Sequence, residues 1–213
     1  MKQCLNLIIL FVLCTGCYRS PPAVSGRWQE INGRDSADER LIIRRPVYRM
    51  KVPEHWSRIV PPPESSIVDT TLPIAEFWIE NQIHITIHNF PFQDPERRIP
   101  PRAQVARWQR QLSNLTEKEA VIEPVSYSGY VGLYFEGSTD EKQVMAWSLQ
   151  LDDEHVRSLS RQIDASSRSY IEQMQADVTI KVAGPPHLLN QHRGDIIAGA
   201  KSFELIQEIP RMP

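Results

Sequence analysis

The succession of apolar patterns along the chain predicts an α+β fold, an antiparallel sheet flanked by helices. Three observations predict it. Residues 74–80 and 83–90 are apolar runs on either side of Asn81-Gln82, and the second alternates Ile83, Ile85 and Ile87 with His84, Thr86 and His88. A period of two is the mark of half-buried strands, here paired as a hairpin. Residues 130–136 and 143–151 form a second apolar pair across Gly137-Ser138-Thr139-Asp140, a turn sequence that again implies antiparallel neighbours. Between these hairpins, Val105, Trp108 and Leu112 recur at helical spacing within residues 102–112. Hairpins with helices set apart from them define the α+β class.

The remaining elements follow in order. Residues 18–37 contain Pro21-Pro22, Ser25-Gly26, Asn32-Gly33 and Asp35-Ser36, and this density of breakers predicts a flexible tether, with Trp28 and Ile31 as candidates to dock. Leu41-Ile42-Ile43 and the alternating residues 47–52 read as strands with Pro46 at a boundary. Pro53-Glu54-His55-Trp56 ends the second, and Pro61-Pro62-Pro63 makes a rigid loop. Pro100-Pro101 suits the first turn of the helix over 102–112, which turns Arg107, Arg110 and Gln111 away from its apolar face. Residues 120–127 read as a strand broken by Pro124. Residues 155–175 read as a partial helix through Val156, Leu159 and Ile163, and residues 174–182 as a last strand ended by Ala183-Gly184-Pro185-Pro186. Residues 187–203 read as a C-terminal helix with Leu188, Leu189, His192, Ile196 and Ala200 on one face. No internal repeat or low-complexity segment is present.

The start of the chain carries an address. Met1-Lys2-Gln3 is short and positively charged, and residues 5–13 are an apolar run broken only by Asn6. That is the pattern of a signal-peptide core, shorter than the roughly 20 residues that span a bilayer. Leu13-Cys14-Thr15-Gly16-Cys17 follows. It resembles the bacterial lipobox, in which small residues precede a cysteine that receives diacylglycerol. Thr15 and Gly16 match the small positions; Cys14 stands where leucine is usual. The resemblance implies cleavage before Cys17 and lipid attachment at Cys17. The chain has 3 cysteines, at 4, 14 and 17, so cleavage would leave a mature chain whose one thiol is acylated, with no disulfide. Each buried CH₂ contributes about 0.8 kcal/mol, so two or three acyl chains replace a transmembrane helix. The expected organisation is a signal peptide over 1–16, a lipidated N-terminus and tether over 17–38, an α+β domain over 39–205 and a tail over 206–213.

Two further stretches, Tyr48-Arg49-Met50-Lys51-Val52-Pro53-Glu54-His55-Trp56 and Ala176-Asp177-Val178-Thr179-Ile180-Lys181-Val182-Ala183-Gly184-Pro185, the latter followed by a helix closing on Ser202-Phe203, resemble the PsbP/Mog1-like family. Arg107-Trp108-Gln109-Arg110-Gln111 looks like lipoproteins of that fold in planctomycete and chlamydial envelopes. The resemblance spans roughly 41–205. It implies an αβα sandwich and a binding or assembly role rather than a reaction, and it transfers no specific function.

The formal charge is −2 and the pI near 6.3, which gives no field favouring nucleic acid. The pairs Arg44-Arg45 and Arg97-Arg98 have acidic neighbours and read as solvated surface. His84 and His88 invite a metal reading. In a strand, though, residues four apart lie about 13 Å apart, too far for one ion, so the polar side of a strand is expected. Asp152-Asp153-Glu154-His155 reads as a structural loop, with a weak ion site as the alternative. His187 and His192 flank or join the last helix, and His192 is expected to be packed or hydrogen-bonded rather than a ligand. Trp56, Trp78, Trp108 and Trp147 read as core aromatics. Gly129 and Gly132 lie in strand-like sequence and form no phosphate cradle. Nucleophile, zinc-protease, Walker and dinucleotide motifs are missing. The expectation is therefore a protein that is not an enzyme and needs no metal or cofactor. It would be anchored in the bacterial envelope, at the outer membrane, with an envelope protein or polymer as partner. The alternatives are an enzyme acting on envelope polymers through a carboxylate pair, and a surface-exposed host-contact protein.

Overall fold

The computed structural model describes residues 26–33, 46–59, 70–92, 96, 98–112, 120–162 and 168–206. Ten strands and five helices lie among them: β1 (Arg27–Asn32), β2 (Pro46–Val52), β3 (Ser57–Ile59), β4 (Ala75–Ile79), β5 (Ile83–Phe90), α1 (Pro101–Gln111), β6 (Val121–Tyr127), β7 (Tyr130–Ser138), β8 (Gln143–Leu151), α2 (Asp153–Ser160), α3 (Arg168–Gln175), β9 (Asp177–Gly184), α4 (Pro186–Gln191), α5 (Arg193–Lys201) and β10 (Glu204–Leu205). Seven strands form one antiparallel sheet in the order β3-β4-β5-β9-β8-β7-β6, and β1-β2-β10 form a second. The α+β class, antiparallel sheet with flanking helices, is as the sequence predicts.

Alternation decides which way each strand faces. Ile83, Ile85 and Ile87 of β5 point into the main core with Met145, Trp147 and Leu149 of β8 and Val178, Ile180 and Val182 of β9. Tyr48, Met50 and Val52 of the small sheet close that core, together with Leu159 of α2, Met174 of α3, Leu189 of α4 and Ile196 of α5. The opposite face of β7 and β8 is covered by α1, whose Val105, Trp108 and Leu112 pack on Phe135, Val144 and Ala146. Full burial of each such side chain is worth about 1.5–3 kcal/mol. Strand β8 is thus buried on both faces, which is why residues 144–147 read as a continuous apolar run rather than an alternation.

Two charged groups are built into this frame. Arg98, expected as solvated surface, has a side chain only 12% exposed and lies 2.8 Å from Asp177. Burial, the largest influence on Asp177, outweighs that guanidinium and the amide of Gln150, and leaves its carboxyl above the ordinary value. Asp152 caps α2, accepting from the backbone N–H groups of Glu154 and His155 at 3.0 Å. Satisfying those orphan donors starts the helix here rather than a loop.

Several boundaries differ from expectation for identifiable reasons. Residues 27–32 lie in the segment expected to be tether but form β1, because Ile31 is fully buried and Trp28 is stacked under Arg49 and Lys51 of β2 at 4.7 and 5.2 Å. Pro124 does not break β6: the strand lies at a sheet edge, where a missing N–H is tolerated. The β4–β5 turn centres on Glu80 and Asn81, with φ of 52° and 55°, one residue before the expected pair. The β7–β8 turn lies at Thr139–Lys142, held by the Thr139 N–H bonded to the Lys142 carbonyl at 2.8 Å. In place of one partial helix over 155–175 there are α2 and α3, and Ile163, expected on the helical face, lies outside the described residues. The last helix is broken at His192, and β10 follows it. Ser128 and Gly129, at φ of 52° and 80°, make the two-residue turn between β6 and β7, the backbone that matches strand twist. The signal segment, Cys17, Leu41-Ile42-Ile43, Arg44-Arg45, Arg97, the triproline and residues 207–213 lie outside the described residues.

Among the described glycines, Gly132 makes the closest backbone approach. A Cβ there would sit 1.9 Å from the Ser148 carbonyl oxygen of β8. Gly132→Ala is expected to lower stability by about 1–3 kcal/mol or more, read as a fall in the urea midpoint. An unchanged midpoint would contradict this account of the β7–β8 pairing.

Candidate functional site

Edge strand β6, Tyr134 of β7, Trp147 of β8 and helix α5 line a cleft on the large sheet. The cavity is about 340 Å³, and Tyr127, Tyr134 and Trp147 line it, with Arg193 and Lys201 of α5 and Glu123 of β6 among its polar groups. Tyr134 and Trp147 pack with ring centroids 5.0 Å apart. The Tyr127 hydroxyl is buried and has no hydrogen-bond partner among the described residues. Burial raises its pKa, so it remains a neutral donor.

The electrostatics of the cleft are set by Glu136, next to its floor. This carboxylate accepts from both Arg193 Nη1 and Arg193 Nη2, the latter at 2.7 Å, from Tyr134 Oη at 2.6 Å and from Gln143 Nε2 at 2.7 Å. A two-pronged Arg–carboxylate contact fixes the guanidinium plane. Burial is the largest influence on Glu136 and acts to raise its pKa. The Arg193 and Tyr134 hydrogen bonds together overcome it and hold the carboxyl below its ordinary value. The same contact raises Arg193. Burial first, then the hydrogen bond to Glu136, raise Tyr134. The result is a guanidinium held in a fixed plane beside an aromatic floor, its charge balanced by Glu136, with Lys201 and Glu123 also at the cleft. Such a site can hold a segment that is partly apolar and carries a polar group; Glu136 is committed to holding Arg193, while Glu123 lines the cleft.

The groups singled out in the sequence are spread over the molecule. His84 and His88 alternate outward on β5 as expected. His84 stacks on Trp78 at 4.3 Å and lies 2.9 Å from Glu76, and His88 lies 3.2 Å from the Thr71 carbonyl. Trp56, Trp108 and Trp147 are buried at 7, 5 and 2% exposure, but Trp78 is half-buried on the outer face and is not a core aromatic. The Asp152–His155 group is a helix start, with His155 Nδ1 2.7 Å from Asp152 Oδ2. His187 is exposed on α4, and His192 lies 3.1 Å from Glu80 Oε1. The cleft residues Glu123, Tyr127, Tyr134, Arg193 and Lys201 were missed. They come from strands and a helix up to 78 positions apart (201 less 123), and no motif spacing links them.

No protein-family model and no curated protein matches the chain. Among solved structures the chain is similar to the solution structure of cyanobacterial PsbP (CyanoP) from Synechocystis sp. PCC 6803, at 11% identity and a TM-score of 0.43 over 83% of this chain and 94% of that one. It is also similar to the crystal structure of LpqN, involved in cell envelope biogenesis of Mycobacterium tuberculosis, at 11% identity and a TM-score of 0.44 over 84% and 91%. At that identity the likeness concerns the fold alone.

Because Glu136 has a lowered pKa in the folded chain, its stabilising contribution is fully present above the unfolded value, near 4.5. That contribution is lost as pH falls through the folded value. Glu136→Gln should therefore be less stable than the parent at pH 7. The gap should close as pH falls from about 5 to 3, measured by urea unfolding across pH. A gap that stays constant over that range would contradict the assignment.

Proposed function

We propose that this chain is a lipid-anchored protein of the bacterial envelope whose folded domain is a binding or scaffolding module. The anchor rests on Leu13-Cys14-Thr15-Gly16-Cys17 and the apolar run before it. The binding role rests on one observation: a cleft of about 340 Å³ with an aromatic floor and a fixed guanidinium lies directly beside the outermost strand, β6. An edge strand presents a row of backbone donors and acceptors to whatever lies beside it. An extended protein segment can add to that row and place a side chain in the cleft, so main-chain bonds give affinity and the cleft gives selectivity. Pro124 interrupts the row, which limits indiscriminate edge-to-edge pairing and leaves the cleft to choose the partner. The polymer-cleaving alternative has less support, since Glu136, Asp177 and Asp152 each serve a structural partner.

Two experiments test this reading. Cys17→Ser should leave the precursor uncleaved and unlabelled by palmitate; normal labelling in that variant would refute the anchor. A photo-crosslinking residue at Ser126 should capture an envelope partner in intact cells, one at Arg107 on α1 should not, and Tyr127→Ala should weaken the Ser126 capture. Equal capture from both positions would refute the edge as the docking strand. A turnover activity abolished by one side-chain change would refute the non-catalytic role.

A further inference from the structure

We infer that a second site, at the opposite end of α5 from Lys201, binds a divalent transition-metal ion, with zinc the best-matched chemistry. It is built where three connections meet. His55 lies in the turn between β2 and β3, His192 lies at the break between α4 and α5, and Asp195 lies in the first turn of α5. One ligand atom from each of these three residues lies within 4.8 Å of the other two. His55 Nε2 is 3.9 Å from Asp195 Oδ2, and the two imidazole rings have centroids 5.5 Å apart. Glu80, from the β4–β5 turn, places Oε1 3.1 Å from His192 Nε2.

The donor set identifies the ion class. Two imidazoles with one or two carboxylates suit zinc and its first-row neighbours, whereas calcium and magnesium take oxygen ligands. Zinc–nitrogen bonds of about 2.0–2.1 Å put tetrahedral ligand atoms roughly 3.3 Å apart. The residues are therefore close to coordinating positions and need only small side-chain rotations. His55 and Asp195 can make them, because their side chains are 46 and 48% exposed. The frame beneath is firm. Trp56, next to His55, is buried against Phe77, and Gly199 of α5 lets the helix approach that indole so closely that a Cβ there would meet it at 3.1 Å. His192, at the helix break, has a side chain only 11% exposed and held between Glu80 and the His55 ring. Glu80 acts either as the fourth ligand or as the carboxylate that orients the His192 ring, a common companion of metal-bound histidine. A bound ion would tie the β2–β3 turn, the β4–β5 turn and the α4–α5 junction together, and so join the small sheet to the large one.

The test is calorimetric titration of zinc chloride into the full chain in detergent. Cys4, Cys14 and Cys17 are replaced by serine and no histidine tag is present, so that thiols and tags do not compete. We expect one zinc per chain, a rise in Tm on loading, and no heat from calcium or magnesium. His55→Ala, at an exposed position that the fold does not depend on, should weaken binding by about 10–100-fold or more, and Glu80→Gln by a smaller factor within that range. His192→Ala should do the same with an unchanged far-ultraviolet circular dichroism spectrum. Failure to bind zinc, or binding that His55→Ala leaves unchanged, would overturn the site.

Discussion

Tyr48 is the contact on which the two sheets depend. Its hydroxyl donates to the Gln173 carbonyl of α3 and accepts from Asn89 Nδ2 of β5 at 3.3 Å. Its ring stacks on Phe203 at 5.2 Å, and Phe203 also meets Tyr130 of β7 at 5.8 Å. One side chain of β2 therefore touches α3, β5 and Phe203, two residues past the end of α5. Strand β2 in turn pairs with β1 on one side and β10 on the other. A hydrogen bond buried in this way contributes modestly when made, but leaving its partners unmade costs about 1–3 kcal/mol. The arrangement forces the segments before and after the large sheet to close over the same core.

Both candidate sites follow from that closure. Helix α5 is brought against the inner face of the large sheet, where its first residue, Arg193, meets Glu136, and its last, Lys201, borders the cleft beside β6. The break before α5 brings His192 to the β4–β5 turn and sets Asp195 opposite His55. Gly199 sits between, where α5 touches Trp56. A displacement of this helix would disturb the cleft and the histidine cluster together, even though they bind different chemistry.

The strands and α1 were legible because their signal is local. The alternation of Ile83, Ile85 and Ile87, and the spacing of Val105, Trp108 and Leu112, each reflect one face of one element. In the small sheet only β2 was legible, through the alternation of residues 47–52; β1 and β10 were not. Strand β1 has a single fully buried residue, Ile31, within Arg-Trp-Gln-Glu-Ile-Asn, and only its pairing with β2 makes that sequence a strand. The helix break at His192 was hidden because the residues around it keep helical spacing on both sides. Sites were the least legible part. Arg98 read as an ordinary surface charge until the fold buries it against Asp177. His55, Glu80 and His192 span 137 positions (192 less 55), and nothing in their spacing announces that three turns converge.

The small sheet is held to the rest of the domain through the Tyr48–Phe203 contact. Amide hydrogen exchange on Phe203→Leu, which keeps an apolar side chain but removes the aromatic stack, tests it most directly. The account predicts faster exchange in β1, β2 and α5, with protection of α1 and its β7–β8 face retained. Unchanged protection across β1 and β2 would contradict it.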